Sequence, residues 1–160
     1  MLILGIDPGS RFTGWGLVHR EQNRYRYHAS GFLRLSPGHS LSRRLLALSE
    51  GIEAVLEAHS PACCAVEQIF TAHNARSALV LGQARGVILC AVERRGLPLH
   101  EYTASQVKQA VVGTGRAGKE QVQRMVGVLL GLRGGIQEDE ADALAVALTH
   151  AAASRLELPG

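Results

Sequence analysis

Aspartate and lysine are both scarce in this chain. Aspartate occurs only at Asp7, Asp139 and Asp142, and only two of the 17 basic residues are lysines, Lys108 and Lys119. One explanation is compositional bias, in which case the positions of the two lysines have no functional meaning. The other is that their positions require a compact ammonium group, which the planar guanidinium of arginine does not replace. Composition alone leaves both explanations open.

Cysteine and long apolar runs are scarce as well. The three cysteines, Cys63, Cys64 and Cys90, have no Cys-x-x-Cys spacing, which argues against a disulfide framework or a zinc site and favours a reducing compartment. No apolar stretch approaches the roughly 18 residues of a membrane span, so no membrane span is expected. The N-terminus has no charged leader followed by an apolar segment, so a signal peptide is not expected. These absences predict a cytoplasmic protein without a membrane partner.

Length and charge limit the number of domains and the kinds of partner. The chain has 160 residues, a formal net charge of +3 and 46% hydrophobic residues. That length predicts one domain, residues 1–160, with enough chain to bury a core. A mildly basic protein is compatible with a nucleic-acid partner, but its charge does not identify one.

Apolar runs separated by turn residues predict an α/β fold. In the first 35 residues, turn residues separate three strand-like segments, which is typical of an antiparallel meander. Two later strand-like segments alternate with helical ones. This order predicts a five-stranded mixed sheet with helices on both faces. The predicted strands are Leu2–Asp7, Thr13–His19, Tyr25–Leu35, Ala62–Glu67 and Leu97–Tyr102. Five helices are predicted: one between Ser40 and Ser60, one from Ala75 to Arg95, one that begins after Thr103 or Ser105 and ends at Val112, one from Lys119 to Leu132 and one from Glu138 to Ala153.

Two of the predicted strands end in a carboxylate. Asp7 closes the apolar run 2–6, and Glu67 closes the run 62–66. Asp7 alone fits an ordinary turn residue before Pro8, whereas Glu67 has no turn or capping role. Because a buried carboxylate without a partner is costly, Glu67 indicates a site that needs a negative charge.

The last predicted helix begins with further acids. Asp139 and Asp142 are three residues apart and lie on the same face of that helix. Leu144, Ala145 and Leu148 are expected on the opposite face. Acids at a helix N-terminus also complement the helix dipole, which is a sufficient role for the neighbouring glutamates and an open alternative for the two aspartates.

The four carboxylates taken together predict a metal centre. Asp7, Glu67, Asp139 and Asp142 supply the oxygen ligands that Mg²⁺ prefers. Two divalent ions about 4 Å apart activate a water and stabilise the leaving oxygen in phosphodiester cleavage. The pattern therefore favours a metal-dependent nuclease.

Six segments, in order along the chain, carry a more specific signal. They are Gly5-Ile6-Asp7-Pro8-Gly9, Thr13-Gly14-Trp15-Gly16, Val66-Glu67-Gln68-Ile69-Phe70, Ala78 with Leu81-Gly82-Gln83-Ala84-Arg85-Gly86, Gln106-Val107-Lys108-Gln109-Ala110-Val111 with Gly113, and Asp139 with Ala141-Asp142-Ala143-Leu144-Ala145. These segments resemble the RuvC family of Holliday junction resolvases, within the ribonuclease H-like superfamily. The resemblance runs almost from end to end.

The resemblance implies a fold, an activity and partners. The fold is ribonuclease H-like. The activity is Mg²⁺-dependent nicking of two opposed strands of a four-way DNA junction, in recombination and repair, which leaves 5′-phosphate and 3′-hydroxyl ends. The resemblance implies that Asp7, Glu67, Asp139 and Asp142 hold two metal ions, for which Mn²⁺ substitutes. It also implies a homodimer, formed through the helix that begins at Ala75, and the branch-migration proteins RuvA and RuvB as partners.

Basic and aromatic positions complete the implied site. Lys108 and Lys119 fall where the family has lysines that contact DNA or support catalysis, and Phe70 falls on an aromatic in the loop that approaches the junction crossover. Phe70 is also a candidate to pack against the following helix. Arg76 and Arg116 are candidate phosphate contacts, although an ordinary solvated position explains each of them as well.

Three other functions are compatible with parts of the sequence. The segment 7–10 resembles the first phosphate loop of actin-type and sugar-kinase-type ATPases, but those enzymes use two copies of the fold and this chain has room for one. A junction-binding module without catalysis has no use for four carboxylates, because they repel phosphate. A nuclease for RNA–DNA hybrids stays open, and the aromatic Phe70 argues against it.

Overall fold

A five-stranded mixed sheet organises residues 1–22, 24–68 and 74–154, the ranges that this computed structural model describes. The strand order is β3-β2-β1-β4-β5, in which β1, β2 and β3 are antiparallel while β4 and β5 run parallel to β1. The prediction of an antiparallel meander followed by two crossover strands is therefore confirmed. The strands are β1 (Leu2–Asp7), β2 (Phe12–Glu21), β3 (Arg24–Arg34), β4 (Cys63–Glu67) and β5 (Leu99–Tyr102).

Helices cover both faces of the sheet, as predicted. Alternation along the strands divides the core: Ile3 packs with the helices of one face, and its neighbour Leu4 packs with those of the other. One face carries α1 and α2, and the other carries α3, α4 and α5. The helices are α1 (Leu41–His59), α2 (Ala75–Arg94), α3 (Ala104–Val112), α4 (Lys119–Leu130) and α5 (Glu138–Ala153).

Backbone properties, rather than the apolar pattern, determine where β5 begins and where α4 ends. β5 begins at Leu99 instead of the predicted Leu97, because Pro98 has no N–H to donate to the sheet. α4 ends at Leu130 instead of the predicted Leu132, because Gly131 has a φ of 65° and adopts the left-handed conformation that ends a helix.

Glycines in β1 and β2 allow α5 to lie directly on the sheet. A Cβ at Gly5 would overlap the carbonyl oxygen of Ala143, and a Cβ at Gly14 would overlap the carbonyl oxygen of Asp139. The backbone of α5 therefore contacts the backbone of both strands. This close approach fixes the position of the acids at the start of α5 relative to the end of β1.

One helix among the described residues, α2, is long and apolar enough by length and composition to cross a membrane. Only 22% of its most apolar 18-residue window is buried. A helix of this length and apolar character was not expected from the sequence, because Arg85 and two glycines interrupt the apolar stretch of α2. Four apolar residues of α2 are buried, Ala84, Ile88, Ala91 and Val92, whereas Leu79 is exposed.

Candidate active site

Strand geometry brings two of the predicted acids to one edge of the sheet. β1 and β4 are parallel neighbours in which Ile6 is paired with Val66, so Asp7 and Glu67 end the two strands side by side. Asp7 shares the face of Ile3, which packs with the core beneath α3, α4 and α5. Both carboxylates therefore lie at the end of the sheet, on the face that α5 covers.

A cavity of about 300 Å³ collects the predicted acids and lysines. β1 supplies Asp7, β4 supplies Glu67 and α5 supplies Asp142, while α3 and α4 supply Lys108 and Lys119. Five separate elements thus converge on one opening. The arrangement places two ammonium groups beside three carboxylates.

Asp139 lies next to this cavity without lining it. Its carbonyl oxygen sits over Gly14, which is the register partner of Asp7. The charge of Asp139 is close enough to contribute to the raised pKa of Asp7. The first turn of α5 therefore adds a fourth carboxylate at the rim.

The electrostatics of Asp7 reflect a crowded acidic site. Burial raises the pKa of Asp7 well above its usual value, and the charges of Glu67 and Asp142 raise it further. The ammonium of Lys119 acts in the opposite direction without cancelling them. Ionised Asp7 is therefore costly in the absence of further positive charge.

The two other cavity acids respond in the same way. Burial and then the charge of Asp142 raise the pKa of Glu67, against the opposing charges of Lys108 and Lys119. Burial also raises the pKa of Asp142, although its hydrogen bond with Lys119 opposes that change. Each acid makes ionisation of its neighbours harder, so the group as a whole favours a cation.

Lys119 supplies part of that positive charge. Its Nζ lies 3.0 Å from Oδ2 of Asp142 and also forms an ion pair with Glu138. Burial lowers the pKa of Lys119, but the hydrogen bonds to Glu138 and Asp142 outweigh burial and raise the pKa overall. The lysine therefore stays protonated and holds α4 against the first turn of α5.

The donor chemistry fits a hard divalent cation, although the acids do not form a closed coordination shell. Carboxylate oxygens from three elements face one cavity, and their mutual repulsion favours a bound cation. Within residues 1–22, 24–68 and 74–154, no three His, Cys, Asp or Glu side chains are close enough together to hold a metal ion.

The remaining candidate DNA contacts are spread around the molecule. Arg76 is exposed in the first turn of α2, and Arg116 is exposed in the loop before α4, where its backbone N–H donates to Oγ1 of Thr114 at 3.4 Å. Neither lines the acidic cavity. Phe70 lies outside the described residues.

Three side chains have contacts that the sequence did not reveal. Glu138, assigned only to the helix dipole, pairs with Lys119, which lies on a different helix. The expectation that Ala145 faces away from Asp142 is wrong, since both line the cavity; they are one turn apart on α5. His150 is buried, with Nδ1 2.8 Å from the hydroxyl oxygen of Tyr102.

The sheet and its helices define a ribonuclease H-like protein, and solved structures agree. RuvC from Thermus thermophilus matches with a TM-score of 0.90 at 35% identity, covering 98% of this chain and 97% of that one. The structure of T. thermophilus RuvC in complex with a Holliday junction substrate matches with a TM-score of 0.93 at 35% identity, covering 98% and 96% of the two chains.

Sequence comparison identifies the family within that class. The family profile described as crossover junction endodeoxyribonuclease RuvC matches residues 3–150. A relative of that name from Cupriavidus metallidurans is 51% identical over 151 residues, which cover 94% of this chain and 83% of the relative. The chain belongs to the RuvC family, and the resemblance drawn from its six segments is confirmed.

Proposed function

We propose that this protein is a metal-dependent endodeoxyribonuclease that resolves four-way DNA junctions. It nicks two opposed strands and leaves 5′-phosphate and 3′-hydroxyl ends, in recombination and repair. The observation that carries the proposal is the single cavity that Asp7, Glu67 and Asp142 share with two lysines. Membership of the RuvC family selects the junction as the substrate.

Four carboxylates would hold the metal. Asp7, Glu67 and Asp142 face the cavity, and Asp139 approaches it from the first turn of α5. We assign them two Mg²⁺ ions, with Mn²⁺ as a substitute. Bound there, the ions supply an activated water and a positive charge for the leaving oxygen.

The lysines have complementary roles in this proposal. Lys119 is half-exposed with 54% of its side chain accessible, so its ammonium is able to reach from Asp142 toward a bound phosphate. Lys108, on α3, faces the same cavity from a different side and contacts the DNA backbone. Phe70 is assigned to the DNA surface on the family resemblance, and Arg76 and Arg116 are assigned there as candidate phosphate contacts.

Exposed apolar side chains support a homodimer. Leu79 on α2 is 69% exposed, and Leu46 on α1 is 58% exposed. A groove of about 500 Å³ between the two helices is lined in part by Leu45 and Val87. Apolar surface of this kind marks an interaction site, and a two-fold dimer with one site per subunit matches a junction that needs two cuts. We assign the surface to a second copy of this chain.

The proposal extends to the cellular setting. Nicking of junctions requires that the crossover be moved to a cleavable position, so we assign RuvA and RuvB as partners, in the cytoplasm. The exposed apolar surface of α2 is explained by the dimer and needs no membrane.

A cleavage assay tests the proposal directly. The substrates are a synthetic four-way junction, a linear duplex of the same sequence and an RNA–DNA hybrid, each with and without Mg²⁺. We expect paired nicks in the junction alone, only with metal, and none from the Asp7→Asn variant. Glu57→Gln serves as a matched control, because Glu57 is an exposed carboxylate whose surface partner is Arg95. Preferential cleavage of the hybrid would contradict the proposed substrate.

A further inference from the structure

Two exposed phenylalanines lie at the same end of the sheet as the acidic cavity. Phe12 begins β2 and is 36% exposed, and Phe32 in β3 is 37% exposed. Their rings make an edge-to-face contact with centroids 5.7 Å apart. Exposed aromatic surface is unfavourable in water, so the pair gains from a ligand that covers it.

Strand register determines which face of the sheet carries the two rings. Phe12 is two residues from Gly14 and shares its face, and Phe32 is the register partner of Gly14. Gly14 lies beneath the first turn of α5, at the carbonyl oxygen of Asp139. The aromatic pair therefore lies beside α5, on the face that carries Asp7.

The distance from the pair to the acids follows from the same register. Asp7 is paired with Gly14, and Gly14 is paired with Phe32, so the three residues lie side by side on β1, β2 and β3. At about 4.8 Å between neighbouring strands, Phe32 lies about 10 Å from Asp7. Stacked bases of one DNA strand are about 3.4 Å apart along the helix axis. About three stacked nucleotides therefore span the distance from a phosphate held beside Asp7 to the pair.

Positive charge flanks the aromatic pair. Arg34 is the register partner of Phe12, and Arg11 precedes Phe12; both side chains are exposed. The backbone N–H of Leu35 donates to the carbonyl oxygen of Arg11 at 2.7 Å, which extends the pairing of the two strands past Phe12. Both arginines therefore lie at the same end of the sheet as Phe12, Arg34 opposite it in register and Arg11 directly before it.

From this geometry we propose that Phe12 and Phe32 form a stacking platform for an unpaired base of the junction strand, about three nucleotides from the cut phosphate. Arg11 and Arg34 hold the backbone on either side of that base. Aromatic rings bind bases with little regard to sequence, because every base has a π face. The platform deepens the proposed function and rests on it, since it assigns a further DNA contact to the same substrate.

Junctions that lack one base test the platform. A series of four-way junctions carries a single abasic site at each position within five nucleotides of the cut, and binding is measured without divalent metal. We expect the abasic site about three nucleotides from the cut to weaken binding to the unaltered protein about tenfold. The Phe12→Ala/Phe32→Ala variant should bind the intact junction about tenfold more weakly and lose nothing further at that abasic site, because base and platform form one interaction.

Matched variants separate stacking from loss of stability. Tyr27→Ala removes an aromatic of the same strand that is 39% exposed, about 16 Å from Phe32 along the strand, and should bind as the unaltered protein does. Phe32→Leu keeps an apolar side chain, preserves the fold, and should still reduce the abasic effect.

Two results would overturn the platform. One is binding by the double variant and by Phe32→Leu within twofold of the unaltered protein. The other is an equal loss at every abasic position. Both leave the proposed function intact if the unaltered protein cleaves the junction, whereas failure of that cleavage counts against the proposed function itself.

Discussion

Gly5 provides a test of how α5 positions the acidic cavity. A Cβ at Gly5 would overlap the carbonyl oxygen of Ala143 and lie 2.6 Å from the amide nitrogen of Ala147, whereas ordinary contact begins at 3.4 Å. Gly5→Ala therefore requires α5 to withdraw from β1 by about 0.8 Å or more. Both opposing atoms belong to the backbone, so a change of side-chain rotamer does not relieve the overlap.

The displacement should reduce both stability and cleavage. Overpacking of a tight contact costs about 1–3 kcal/mol, which lowers Tm by roughly 2–12 °C in a chain of this size. The same movement carries Asp142 away from Asp7. A misplacement near 1 Å costs on the order of 10²-fold in rate, so we expect cleavage to slow about 100-fold while junction binding is kept.

Thermal melting and single-turnover cleavage, the latter well below both melting temperatures, measure the two effects separately. Gly127→Ala in α4 is the matched control, because nothing lies within 4 Å of a Cβ there. It should melt at the same temperature or slightly higher, since alanine favours a helix over glycine by about 1 kcal/mol. If Gly5→Ala kept both the parent Tm and the parent rate, the close seating of α5 would not position the acids.

Three further predictions concern charge and assembly. Asp7→Asn should abolish cleavage and keep junction binding. Burial and the charge of Glu67 raise the pKa of Asp7 above its unfolded value, so the stability of the parent falls as pH rises from the unfolded pKa to the folded pKa. Without metal, the variant should therefore melt at a higher temperature than the parent at neutral pH and at the same temperature at about pH 3. Equal melting at both pH values would contradict the raised pKa. Lys119→Ala should lower the single-turnover rate more than the affinity, with only partial recovery in Lys119→Arg; equal losses would make Lys119 an ordinary phosphate contact. Leu79→Glu should raise the dimer Kd at least about tenfold in sedimentation, and an unchanged dimer would exclude this part of α2 from the interface.

Much of the fold follows from local patterns in the sequence. The bounds predicted for Leu2–Asp7 and Glu138–Ala153 are those observed, because each segment joins a continuous apolar stretch to a clear break. The start of β5 and the end of α4 depend on the missing N–H of Pro98 and the left-handed conformation of Gly131. Hydrophobic periodicity does not record either property, so the predicted ends were two residues too long.

The site is predictable where the sheet itself determines position. Parallel strands end at one edge, which is sufficient to bring Asp7 and Glu67 together. The ion pair of Lys119 with Glu138 joins two helices that are distant in sequence, and no spacing rule foretells it. The face of Ala145 was predicted wrongly because α5 is apolar nearly all round, so its pattern does not distinguish one side from another.

The burial of α5 has a consequence for how the protein fails. Every residue from Ala143 to Ala151 is buried, so we expect the amide hydrogens of this segment to exchange with solvent only when the whole fold opens. Asp142 belongs to the same rigid helix and keeps its position relative to Asp7 until that opening. Heating should therefore convert active, folded molecules into inactive, unfolded ones in one cooperative step, with no partly active intermediate.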